Sequence, residues 1–151
     1  MKRAFNFSLQ KVLDVRSMVE ESKAIELQKA KAETEIEKQK LVAVQAEKES
    51  LVQGEASSSD ERDVTLHELS NRRAYVDQLT DKIKEQGESV SSSEEKAEVH
   101  RDEYIKASKD KMVIEKLKEH HQETFRKKLN QDQVKEESEL ASRMNKTEDA
   151  Q

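Results

Sequence analysis

The residues in this chain that could do chemistry are four histidines, scattered serines and 33 carboxylates. His120 and His121 stand together with Glu119 and Glu123 beside them, a crowd of metal-ligating types. Successive residues on a helix point about 100° apart, so these two imidazoles cannot share an ion on one face. His67 and His100 stand alone and read as surface residues. There is no cysteine, which removes thiolate chemistry and disulfides, and two isolated glycines, Gly54 and Gly87, cannot build a phosphate-cradling loop. A serine nucleophile would need a concave, water-excluding pocket to align its base, and nothing in the pattern promises one. The expectation is therefore a non-enzyme with no catalytic, metal or cofactor site.

The elements that carry these residues follow from composition. Charged residues make up 40% of the 151-residue chain and aromatics only 3%, too little apolar surface for an ordinary globular core. There is no proline, and Lys, Glu, Gln, Ala and Leu fill most positions, which favours long uninterrupted helices over disorder. A coiled coil is the arrangement whose seam is narrow enough to be satisfied by so few apolar side chains. The net charge of −5 comes from interspersed acids and bases, so no nucleic-acid footprint is expected. No apolar run approaches the roughly 20 residues that span a bilayer, and no apolar stretch follows the basic opening. A cytoplasmic protein without a secretory signal is the expectation.

The clearest break is the segment from Gln53 to Glu61. Gly54 is suited to the left-handed conformation that ends a helix, and Ser58 and Glu61 have the spacing of a capping box. The spacing predicts a single all-α unit over 1–151, a long two-helix antiparallel coiled-coil hairpin with unequal arms. Arm 1 runs over about 6–53, the turn over about 54–59 and arm 2 over about 60–142, with a frayed tail at 143–151.

Each arm carries a heptad seam. In arm 1 it passes through Leu9, Leu13, Arg16, Glu20, Lys23, Leu27, Ala30, Thr34, Glu37, Leu41, Val44, Lys48 and Leu51. In arm 2 it passes through Leu69, Arg72, Val76, Leu79, Ile83, Gln86, Val90, Ser93, Ala97, His100, Tyr104, Ala107, Lys111 and Ile114. Just over half of these positions are apolar, and an isolated helix of this kind is marginal, so each seam needs a partner. Folding at about residue 58 places Leu51 opposite Leu66, Leu41 opposite Val76, Leu27 opposite Val90, Leu13 opposite Tyr104 and Lys23 opposite Glu94.

In that register everything beyond Ile114 overhangs, and Ile114, Leu117, His121, Phe125 and Leu129 form an unpaired docking stripe for another protein. The run Gln86-Gly87 to Ser93 is a soft point, read as a tolerated dip in one helix or, alternatively, a kink. The basic, amphipathic start (Lys2, Arg3, Phe5, Phe7, Leu9, Lys11, Val12, Leu13, Arg16) could lie on an anionic membrane surface, but closure of the seam by Leu9 and Leu13 against Ala107 and Tyr104 is the simpler reading.

Several short patterns then fall in one order. Phe5-x-Phe7-x-Leu9, Val12-Leu13-x-x-Arg16 with Glu20, Tyr75-x-x-x-Leu79-x-x-x-Ile83-x-x-Gln86, Ile114-Glu115-Lys116-Leu117 and Glu139-Leu140-Ala141-x-Arg143 together resemble flagellar export proteins of the FliJ type, over nearly the whole chain. The resemblance implies a non-catalytic stalk and adaptor of the flagellar type III export apparatus. Its partners would be a hexameric export ATPase, the cytoplasmic domain of the export gate protein and export chaperones, with no nucleic acid and no metal. The hairpin would be a monomer, cytoplasmic and peripherally associated with the inner membrane at the export apparatus. By that similarity Phe5, Phe7, Leu9, Leu13, Arg16, Ile114, Leu117, His121, Phe125 and Leu129, at the end with both termini, meet the ATPase ring. Tyr75, Leu79, Ile83 and Gln86 meet the gate, and Gly54, Ser58 and Glu61 make the turn. The equivalent stalk of a virulence secretion system and an unrelated coiled-coil tether or dimerisation module are the alternatives.

Overall fold

A chain with no proline and a surplus of good helix formers has little to interrupt it, and the computed structural model consists of two long helices. It describes residues 4–58 and 65–148, with side chains over 4–54 and 65–144. Helix α1 spans Gln10–Ser58 and helix α2 spans Leu66–Glu148, so the arms are unequal and, among the described residues, there are no strands. The two helices pack against each other as an antiparallel hairpin of the expected class.

The boundaries differ from expectation in instructive ways. Gly54 lies inside α1, and no described glycine has a positive φ, so Gly54 does not stop the helix. Helix propensity on both sides outweighs the cost of one glycine, about 1 kcal/mol. The Ser58–Glu61 capping box falls outside the described residues. A capping box is present one heptad later: the Glu68 amide donates to Thr65 Oγ1 at 3.3 Å, and the Thr65 amide donates to Glu68 Oε2 at 3.2 Å. The first α-helical bond of α2 follows, from the Leu69 amide to the Thr65 carbonyl. At the other end α1 starts at Gln10 rather than near residue 6, and α2 runs past residue 142 to Glu148.

The chain divides into two compact units. One comprises Met1–Glu20 with Lys106–Gln151, the other Glu21–Ile105. In the first, Phe7, Leu13 and Ala107 are buried; in the second, Ala30, Leu79, Val90 and the polar Thr34 are buried. Leu79 is 0% exposed, the best-sealed of the large side chains. The two alanines are small enough to let helix backbones approach, which suits a seam with few large side chains.

The seam faces are those the periodicity predicts: every expected arm 1 position except Arg16 is buried or half-buried, and so is every arm 2 position from Val76 to Ile114. The register is not the expected one. Lys23 meets Glu103 at 3.0 Å, nine positions beyond Glu94, and Glu94 pairs instead with Lys38 at 2.8 Å. The Leu51–Leu66, Leu41–Val76, Leu27–Val90 and Leu13–Tyr104 pairings belong to that displaced register and are corrected with it. Moving the helix start from about residue 60 to Leu66 displaces the fold-back point, and the facing positions shift by about nine residues to follow it.

The Gly87 region is continuous helix. Its weakness is offset across the seam, where Gln86 Nε2 donates to the Glu37 carbonyl at 3.1 Å and to the Glu37 carboxylate, and Ser89 Oγ donates to the same carboxylate at 3.0 Å. The Thr34 hydroxyl is shared between the Ala30 carbonyl at 2.9 Å and the Ser93 carbonyl at 3.2 Å. Gln86, Ser89 and the Ser93 carbonyl thus build a polar layer within the seam with Glu37 and Thr34. Polar groups paired at such positions are the usual device for fixing the register of a coiled coil.

Candidate functional site

The residues expected to meet an ATPase ring come together in the first unit. The Phe5 and Phe125 ring centroids lie 5.6 Å apart, and Phe7 meets His121 edge-on at 5.7 Å. Such ring pairs contribute beyond their buried area when tilted or T-shaped. Phe7 is only 5% exposed, held in the non-helical strap that precedes α1, where the Gln10 amide donates to the Phe7 carbonyl at 3.1 Å. Lys118 Nζ donates to Gln10 Oε1 at 2.8 Å, Arg16 pairs with Asp110 at 3.2 Å, and Lys111 pairs with Glu20 at 2.7 Å. The Lys111 ammonium holds the Glu20 carboxyl below its ordinary range, and Glu20 raises Lys111 in turn.

This corrects the unpaired docking stripe. Ile114, Leu117 and Phe125 are half-buried, and His121, although exposed, is covered at its edge by Phe7. The strap meets Phe125 and His121, which the expected register left without a partner. Leu129 is half-buried as well, while Val134 and Leu140 further along α2 stand exposed. The amphipathic start turns its apolar side inward: Leu9 is half-buried, and Phe7 and Leu13 are buried. What this unit offers outward is a different set, Val12, Val15, Met18 and Val19 on α1 and Met112 and Val113 on α2.

The four residues expected to meet an export gate lie in the second unit and are mostly engaged within the hairpin. Leu79 is inaccessible, Ile83 is half-buried and Gln86 is bound to Glu37. Tyr75 is exposed, and its hydroxyl donates to Glu47, a hydrogen bond that, together with the carboxylate's charge, raises the phenol above its ordinary range. Tyr75 also lines a shallow groove of about 390 Å³ with Ser50, Leu51, Gly54, Asn71, Arg72 and Val76. A second groove, of about 560 Å³, runs beside Thr34, Lys38, Glu94 and Arg101. Both are open to solvent and give no closed chamber in which a reacting group could be dried.

One constellation escaped the sequence reading. Glu26, His100 and Glu103 place three ligand-type atoms within 4.8 Å of one another. In the expected register His100 faced a different part of arm 1, so Glu26 was invisible as its neighbour. Only the correct register would have found it, and the Thr65-x-x-Glu68 signature was the available signal.

An antiparallel two-helix coil with polar sides and open grooves is the architecture these residues build. Residues 5–148 match the family model described as Flagellar FliJ protein, and the chain belongs to that family. It is accordingly a flagellar, export-associated protein, of a family of non-catalytic export components. No curated protein and no solved structure matches it. Among the described residues, no helix is long and apolar enough to cross a membrane.

Proposed function

We propose that this chain is a non-catalytic stalk and adaptor of the flagellar type III export apparatus. The end carrying both termini enters a hexameric export ATPase ring, and the surface of α2 around Tyr75 meets the cytoplasmic domain of the export gate. Export chaperones dock on the same cytoplasmic hairpin, which sits peripherally at the membrane. The observation that carries the reading is the strap in the first unit, where Phe5 and Phe7 close over Phe125 and His121. It holds the start of the chain against α2 and leaves Val15, Met18, Met112 and Val113 exposed to a surrounding protein. A stalk biases a ring by contacting its states unequally, so hydrolysis belongs to the ring. At the gate end the accessible groups are Tyr75, Arg72 and Asn71 along the shallow groove, with Leu79, Ile83 and Gln86 holding the helix that presents them.

The test is a pull-down with the cognate export ATPase together with its hydrolysis rate. Wild type binds the ring and changes the rate. Val15→Asp and Val113→Asp, both on exposed positions, lose binding with helicity unchanged, and Phe125→Asp loses it by opening the strap. A wild-type chain that neither binds the ring nor alters its rate overturns the stalk reading.

A further inference from the structure

We propose that Glu26, His100 and Glu103 form a site for a divalent transition-metal cation, such as zinc, that clamps α1 to α2. His100 Nδ1 is sealed from solvent and has no hydrogen-bond partner among the described residues. An unmet buried nitrogen is a standing cost, and such groups call for a missing partner. Two carboxylate oxygens flank it, Glu26 Oε2 and Glu103 Oε2, each at 3.6 Å. Zinc binds nitrogen and carboxylate oxygen at roughly 2.0–2.2 Å in a tetrahedron, which sets neighbouring donors about 3.3–3.5 Å apart. The two edges to His100 need to contract by only a few tenths of an ångström, and the edge between the two carboxylate oxygens, within 4.8 Å and bridged by the Lys23 ammonium, closes as that ammonium leaves. An imidazole with two carboxylates favours a transition metal over magnesium or calcium, which take all-oxygen shells.

The position already attracts a cation. Lys23 Nζ bridges the same two oxygens, at 2.9 Å from Glu26 and 3.0 Å from Glu103. That bridge satisfies the carboxylates but leaves the imidazole unmet; a metal ion satisfies all three. On binding, the Lys23 ammonium keeps its proton and swings on its flexible stem into solvent, which the half-buried setting allows. Water completes the fourth coordination position. Because Glu26 lies on α1 and the other two ligands on α2, the bound ion ties the arms at a fixed register.

The experiment is calorimetric titration of the untagged full-length chain with zinc chloride, with thermal midpoints measured alongside. One zinc per chain is expected, with a midpoint raised by several degrees at saturating ion. His100→Ala weakens binding by about tenfold or more, and Lys23→Ala, which removes the competing ammonium, tightens it by about tenfold. Nitrogen chemical shifts of the His100 ring in the wild-type chain report the same event without any substitution, moving at Nδ1 on zinc addition. A His100 ring that does not respond, or zinc binding unchanged by His100→Ala, overturns the proposal, the latter by placing the ion elsewhere.

Discussion

Glu37 of α1 and Gln86 of α2 meet across the seam, with the Gln86 amide donating to both the backbone carbonyl and the carboxylate of Glu37. Lys40 and Ser89 complete the environment, and the three donors hold the Glu37 carboxyl down at about 2. The lysine contact contributes most, followed by Gln86 and Ser89. A carboxyl depressed in the folded state stabilises the fold above its unfolded value, near 4.5, and that contribution is lost as pH falls toward 2. Glu20 and Glu103, lowered by Lys111 and Lys23, act in the same direction. The urea midpoint should therefore hold from neutral pH to about 5 and fall below it. Glu37→Gln should flatten part of that fall. A slope unchanged by the substitution would show that Glu37 is not one of its sources.

Leu79 is the deepest large side chain, and its removal leaves a hole that two helices cannot easily collapse. Leu79→Ala should destabilise the chain by about 2–3 kcal/mol, visible in urea unfolding followed by circular dichroism. Leu79→Met, close in volume, should cost under about 1.5 kcal/mol. Equal, small losses in both variants would mean that the site is wetter than its burial indicates.

Phe7 acts on the strap rather than on the helices. Phe7→Ala should free residues 4–9 to proteolysis and hydrogen exchange, while exchange protection around Leu79 and Val90 stays as in wild type. Loss of protection at both places together would show that the strap and the second unit unfold as one.

The heptad pattern made the two faces legible, because the seam runs through nearly all the positions that recur every three and four residues. The register was not legible from the same pattern. Sliding one arm by about nine residues again sets seam positions against seam positions, and the Lys23–Glu94 pair was too weak a clue to choose between alternatives. The turn decides, and two capping signatures lay one heptad apart, Ser58 with Glu61 and Thr65 with Glu68. Gly54 and the serines after it drew the reading to the first, whereas the helix propensity of the flanking residues carries α1 through Gly54. Every feature that joins the arms was hidden by that choice: the strap over Phe125 and His121, the Glu37–Gln86 layer, and the meeting of Glu26 with His100. Features within one arm, such as continuity through Gly87 and the inward-facing Leu79, needed no register.

The central claim is that one chain folds back on itself with Thr34 beside Ser93. Paired cysteines at these positions, joined by a short bifunctional reagent at low protein concentration, measure this directly. The Thr34→Cys/Ser93→Cys chain should cross-link rapidly as a monomer. A Lys23→Cys/Glu94→Cys control, offset along the helices by about 13 Å, should not. Cross-linking of the control in preference to the 34–93 pair, or links formed only between separate chains, would contradict the fold and everything built on its register.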